Sequence, residues 1–250
     1  MLSESGIAML SVSADIMGKV ETLHPTLLWD TNEIIVVDSA YPGQLPLIKQ
    51  ELSVRGITIE EITRIIVTHQ DLDHIGSIPA LLEQTNNRAE IISSLLEKPY
   101  IQGEKMLIKL TPEAIDEAVH SLPENVPPKW RAAFKHTLSN PPRFPVDTIV
   151  SHLEELPYCG GIVALDTPGH TPGHISLYHK TSKTLIAGDA LKVVDHQLFL
   201  PDPKLCSNYE QAKQSIEQFL HYDVAEIICY HGGKYTTTIH ERLRELVYAN

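Results

Sequence analysis

The sequence is short of positive charge, of cysteine and of long apolar runs. Against 32 Asp and Glu it has 20 Lys and Arg, a formal charge of −12. An acidic surface repels phosphate backbones and anionic lipid, so neither a nucleic-acid partner nor a membrane partner is expected. The 3 cysteines, Cys159, Cys206 and Cys229, include no CxxC pair, and their odd number excludes a complete disulfide framework. That usage fits a reducing compartment, and a cytoplasmic location is expected. No apolar run approaches the ~20 residues that a membrane span needs. Residues 1–18 lack a basic start and an unbroken apolar stretch, so no secretory signal is expected. Internal repeats and low-complexity linkers are absent too. What remains is ordinary: 250 residues, 42% hydrophobic and 21% charged, enough for a sizeable core in one domain over 1–250. Histidine is the exception, 13 in all, and its placement matters more than its number.

Apolar patterning predicts strands over residues 7–12, 20–29, 34–37, 64–68, 90–93, 161–166, 175–179, 184–187 and 226–229. Helical spacing predicts helices over 43–55, 75–83, 112–120, 129–138, 209–220 and 238–247. Early strands joined as hairpins and later strands alternating with helices imply a mixed α/β (α+β) fold. Residues 95–146 differ in character, being dense in proline from Pro99 to Pro145. They read as an inserted helical cap. It either covers a sheet edge or walls a substrate pocket, with Tyr100, Trp130 and Phe134 as the lining candidates.

Chemistry concentrates where strands end. Residues 68–74, Thr-His-Gln-Asp-Leu-Asp-His, put His69, Asp71, Asp73 and His74 into one tight loop, which suits one or two metal ions. Residues 166–174 bracket His170 and His174 with two Pro-Gly turns, which fix the loop path and the angle of an imidazole. Asp38, Asp189 and His231 each follow an apolar strand. Alone, these segments also read as a solvated acidic loop, ordinary turns and caps. Together they place a His or Asp at the end of five strands, and strand ends share a sheet edge.

This series, Asp38, then His69, Asp71, Asp73 and His74, then His170, Asp189 and His231, resembles the metallo-β-lactamase-fold hydrolases from about residue 36 to 231. The resemblance implies a four-layer αββα sandwich with two divalent metal ions at the sheet edge, zinc first and manganese or iron after it. It implies one ion held by His69, Asp71 and His170, and another by Asp73, His74 and His231. Asp189 would bridge them, and Asp38 would fix the ligand loop from behind. Residues 167–174, T-P-G-H-T-P-G-H, look most like the lactonase and glyoxalase II-like branches. His174 matches no ligand position and reads as structural. His24, His120, His136, His152, His179, His196, His221 and His240 lie outside the motifs and read as surface or core residues.

Asp71 stands where the family usually has His. The carboxylate lowers the formal charge of the site by one and is a harder ligand, which favours manganese or iron more than an all-imidazole site does. Three readings stay open: Asp71 ligates, it leaves that ion weakly held, or the site binds metal without catalysis. The expected function is hydrolysis of an ester, lactone or thioester of a small molecule, with the ions activating a hydroxide and Asp73 orienting it. Lys192 falls three residues after Asp189, where lactonase-like members have Tyr. It reads as a point charge for a substrate carboxylate or phosphate, or as a surface lysine. The alternatives are an iron-dependent oxidoreductase of the persulfide dioxygenase or diiron kind, a phosphodiester hydrolase, and a non-catalytic metal-binding protein. A homodimer is compatible with all of them.

Overall fold

The structure, a computed structural model, describes residues 4–16 and 19–248. Residues 1–3 and 17–18, part of the segment read above for a secretory signal, lie outside the described residues.

Two six-stranded sheets carry the fold. The first orders its strands Gly6–Met9, Thr26–Trp29, Ile34–Val37, Arg64–Ile66, Glu90–Ser94 and Thr148–Val150. Its first two pairings are antiparallel and its last three parallel. The second orders Gly233–Tyr235, Glu226–Cys229, Thr184–Gly188, Ile175–His179, Ile162–Asp166 and Glu155–Leu156. There only Thr184–Gly188 and Glu226–Cys229 run parallel. Two hairpins, Val12–Ile16 with Lys19–Leu23 and Lys192–Val194 with Gln197–Phe199, stand apart from both sheets.

Side chains alternate across a strand, and that alternation builds three apolar layers. Leu28, Ile35, Val37, Ile66 and Ile92 of the first sheet meet Ile162, Ala164, Ile175, Leu177 and Ile186 of the second. Their neighbours Leu27, Val36, Ile65 and Ile91 face outward. There they pack under Ile48 and Leu52 of the helix Leu45–Ser53 and under Ile78 and Leu81 of Ile78–Gln84. On the far side Leu165, Leu185, Ala187 and Ile227 pack under Ile216, Phe219, Ile239 and Leu243, the last two from the helix Ile239–Tyr248. The order is helix, sheet, sheet, helix: an αββα sandwich. Strands covered on both faces read as continuous apolar runs, which is why Ile34–Val37 and Arg64–Ile66 show no polar alternation.

Local differences from the expected elements have identifiable causes. The strand expected over 20–29 breaks at His24–Pro25 into two pieces in different sheets. The helix expected over 75–83 splits into Leu72–Ile75 and Ile78–Gln84. Gly76 lies at that break, so close to the 41–42 backbone that a Cβ would sit 2.3 Å from Pro42 N. The helix expected over 209–220 tightens to 3₁₀ geometry after Ser215. Of the six described strands of two or three residues, only Arg64–Ile66 was expected; the other five, among them Thr148–Val150 and Gly233–Tyr235, are too short for periodicity to reveal.

The 95–146 stretch contains the helices Lys98–Ile101, Pro112–His120 and Pro128–Ser139, each with Pro in its first turn. Its base is anchored, since Ile101, Leu107, Phe144 and Val146 join the outer core. The two longer helices bury little, chiefly Ile115 and Leu138. Arg131 ties them together by donating to the carbonyls of Val119 and Leu122, each at 3.1 Å.

Leu177 is fully buried between the sheets. Leu177→Ala is expected to cost about 2–5 kcal/mol in a denaturant titration. A cost under about 1 kcal/mol would contradict a packed inter-sheet layer.

Candidate metal centre

Strand direction brings the site residues to one edge. Ile34–Val37 and Arg64–Ile66 run parallel, so Asp38 and the 69–74 loop leave the first sheet on the same side. In the second sheet Ile162–Asp166 lies two antiparallel steps from Thr184–Gly188, which is itself parallel to Glu226–Cys229. The 167–174 loop, Asp189 and His231 therefore leave together.

Two clusters form there. In one, the ligating atoms of His69, Asp71, His170 and Asp189 lie within 4.8 Å of one another, and in the other so do those of Asp73, His74 and His231. Asp71 Oδ2 lies 3.2 Å from His69 Nε2 and 3.0 Å from His170 Nε2. Asp73 Oδ2 is 3.2 Å from His231 Nε2. Asp189 reaches both groups: Oδ2 is 3.2 Å from His170 Nε2 and 3.4 Å from His231 Nε2, and Oδ1 is 3.4 Å from His74 Nε2.

Buried hydrogen bonds hold these side chains. Asp38 accepts from Thr68 N at 2.9 Å, Thr68 Oγ1 at 2.7 Å and His74 Nδ1 at 2.9 Å, which turns His74 Nε2 toward the cluster. Asp38 and Ala40 both sit at positive φ, 62° and 70°, a strained turn for residues with a Cβ. Tyr230 secures that turn, its hydroxyl accepting from Ala40 N at 3.0 Å and donating to Asp73 O at 2.7 Å. His174 Nε2 accepts from Asp189 N at 2.9 Å. Gly188 must lack a side chain, since a Cβ would lie 2.7 Å from that same Nε2. Glu97 is wholly buried and accepts four bonds. Gln70 N and Nε2 reach one oxygen at 3.0 and 2.8 Å, and Thr171 Oγ1 and Gly173 N reach the other at 2.7 and 2.8 Å.

Residues 24–231 match the metallo-beta-lactamase superfamily. The chain belongs to that superfamily. It is 31% identical over 174 residues to the probable metallo-hydrolase YflN of Bacillus subtilis (strain 168), a stretch that is 67% of this chain and 59% of that protein. This chain thus spans less than two thirds of that relative. Uncharacterized protein YobT of the same organism is 28% identical over 229 residues, 88% of this chain and 87% of its own. Among solved structures, a metallo-beta-lactamase family protein from Thermus thermophilus superposes with a TM-score of 0.67 at 22% identity, covering 97% of this chain and 78% of its own. A metallo-beta-lactamase from Pontibacter korlensis gives 0.68 at 12% identity, covering 100% and 98%. At these identities the structural likeness concerns the fold.

The donor set of this metallo-beta-lactamase-fold chain fits divalent metal. His69 Nε2, His74 Nε2 and Asp189 Oδ1 are buried without a hydrogen-bond partner, although each faces a cluster. Buried polar atoms are rarely left so, and imidazole nitrogen beside carboxylate oxygen suits zinc, manganese or iron.

The protein's own charges show the same demand for a cation. Burial works against ionisation of His74, but Asp189, Asp38 and Asp73 raise it from the ordinary 6.5 to about 10. Burial is likewise outweighed at His170, which Asp189 and Asp71 raise to about 11. His231 is raised well above its usual value by Asp189 and Asp73, again against burial. His174 goes the other way, burial and the neighbouring imidazoles His69 and His170 holding it well below. It is neutral at its bond to Asp189 N. Asp71 and Asp189 stay well below the usual carboxylate range despite burial, through nearby histidines.

Not every expected site residue comes to the cavity. A cavity of about 290 Å³ opens on both clusters, lined by Leu72, Leu107, Leu110 and Leu205 together with Glu21, Tyr41 and Lys109. Lys192 starts a hairpin strand and is not among its lining residues. Tyr100, Trp130 and Phe134 are absent from it as well, and Trp130 is 69% exposed. The 95–146 stretch meets the site through the loop 107–110 instead of through its helices. Sequence reasoning missed Glu21, Tyr41, Glu97 and Lys109, because each stands outside a recognisable motif.

Two outcomes are expected. For the ion-free protein, the raised His74 and His170 contribute stability that is complete below 6.5 and lost as pH climbs through about 10 and 11. The lowered Asp71 and Asp189 contribute above 3.8 and lose that contribution in acid. Chelator-treated protein should therefore melt at progressively lower temperature from pH 6.5 to 10, and a flat profile would count against this charge arrangement. Separately, Glu97→Ala strands four donors and should destabilise by roughly 3 kcal/mol or more in denaturant. A neutral effect would remove Glu97 from the support of the loops.

Proposed function

We propose that this superfamily member is a metal-dependent hydrolase that cleaves an ester, lactone or thioester of a small molecule. One observation carries the reading: two adjoining clusters of imidazole and carboxylate, with Asp189 reaching both, open into one cavity. In this reading His69, Asp71 and His170 would hold one ion and Asp73, His74 and His231 the other, with Asp189 within reach of both groups. Zinc is the first choice of metal, and the Asp71 carboxylate shifts preference toward manganese or iron.

Bound there, two divalent ions supply a Lewis acid and a water acidified toward neutral pH. The chain's residues do the rest. Asp73 is partly open to the cavity and is the carboxylate placed to orient a nucleophile. The leucines give an apolar wall for an acyl chain and exclude water around the reacting bond. Tyr41 is kept protonated by burial and by the nearby Asp73 and Glu21, and bonds to Glu21 at the polar side of the cavity. A volume of about 290 Å³ suits a small substrate. The Thr167–Pro168–Gly169–His170 turn and its repeat at residues 171–174 support placement near the lactonase and glyoxalase II-like branches. No substrate contact is assigned to Lys192.

Elemental analysis of untagged protein is expected to give about two ions per chain, and a panel of esters, lactones and thioesters should show turnover that a chelator abolishes. Asp189→Asn and His231→Ala should each lower kcat/KM at least about a hundredfold. Metal-loaded protein inert to the whole panel would point to a non-catalytic metal binder. Iron with oxygen consumption would point to redox chemistry.

A further inference from the structure

Lys109 puts its ammonium against two donor atoms of the first cluster. Nζ donates to Asp71 Oδ2 and lies 2.8 Å from His170 Nε2. Its position is built into the fold. Ile108 N donates to Gln70 Oε1 at 2.7 Å, and the Gln70 amide donates in turn to buried Glu97. The residue before Lys109 is thereby fastened to the residue before Asp71. Leu107, two residues earlier, is buried in the outer core. Among the described residues that line the cavity, Lys109 is the one lysine or arginine. The second cluster has the opposite surroundings: Glu21 lies 3.9 Å from His231 Nδ1, and no ammonium among the described residues pairs with Asp73.

An ion at the first cluster needs the Asp71 and His170 donor atoms beside which the Lys109 ammonium lies. The ammonium must withdraw from them or share the carboxylate, and like charges at that range repel. The second cluster meets no such competitor. We propose that Lys109 is a tethered cation that makes the two clusters load unequally. The Asp73, His74 and His231 cluster fills first and tightly; the His69, Asp71 and His170 cluster fills last and weakly. This rests on the reading above that both clusters hold metal. It also gives Asp71 a reason: an imidazole at that position would offer the ammonium no anionic partner.

The test is a zinc titration of full-length, chelator-stripped protein against a chromophoric chelator of known affinity. Wild type, Lys109→Met and Lys109→Arg are compared, with thermal melts as the folding control. Wild type should bind in two steps, and His170→Ala should remove the weaker one. Lys109→Met should tighten that weaker step by about tenfold or more and leave the tighter one within about twofold. Lys109→Arg, keeping the charge, should retain the weak step. Equal steps in wild type, or a weaker step unmoved or loosened in Lys109→Met, would overturn the proposal while leaving the metal reading intact. Failure of every form to bind zinc would overturn both.

Discussion

Like charge in close quarters is the constraint on which the site depends. Asp71, Asp73 and Asp189 gather at one sheet edge among four imidazoles, mostly out of water. Buried carboxylates that close repel one another unless a cation or a proton lies among them. The surroundings hold the groups together against that repulsion. Asp38 grips Thr68 and His74 with three hydrogen bonds, and His174 holds the backbone of Asp189. At the site, backbone strain falls in the Asp38–Ala40 turn, where the Tyr230 hydroxyl secures it. The αββα sandwich serves this edge by fixing where the strands end. Three apolar layers keep its strands from sliding.

Those strand ends were legible in the sequence for a physical reason. A side chain just beyond an apolar strand has a position set by the sheet, so short runs such as His69 to His74 carry geometry with them. The order of Asp38, His170, Asp189 and His231 then follows strand order. The two-sided burial of Ile34–Val37 could be read from its composition alone. Residues whose place depends on a loop path were not legible. Glu97 sits in a Leu-Leu-Glu-Lys stretch that looks like any helix start, yet the fold wraps two ligand loops around it. Glu21 comes from a hairpin that the pattern merged with the next strand. Lys109 stands among Leu and Ile on a connector whose course no local rule predicts. Spacing from Asp189 pointed instead to Lys192, which does not line the cavity.

The 95–146 stretch divides along the same line. Its two longer helices bury few residues and are tied mainly to each other, so their sequence is lightly constrained. Its base and its 107–110 loop are fastened at the core and at the ligand loops, through Ile101, Leu107 and the Glu97–Gln70–Ile108 chain of bonds.

Asp71 and Lys109 form one ion pair drawn from two separate stretches of chain. The Asp71 carboxylate brings a negative charge to the cluster, and the ammonium beside it balances that charge. The pair sums to zero, as a neutral imidazole would, but the distribution differs. An imidazole presents a fixed lone pair, whereas here the anion is fixed and its counter-charge hangs on a four-carbon stem that can turn away. Removing either partner alone leaves an unbalanced charge in a largely dry site, and removing both is the milder change. The pair therefore constrains the chain more tightly than either residue does alone, and it ties the 69–74 loop to the course of a connector thirty-eight residues further along the sequence.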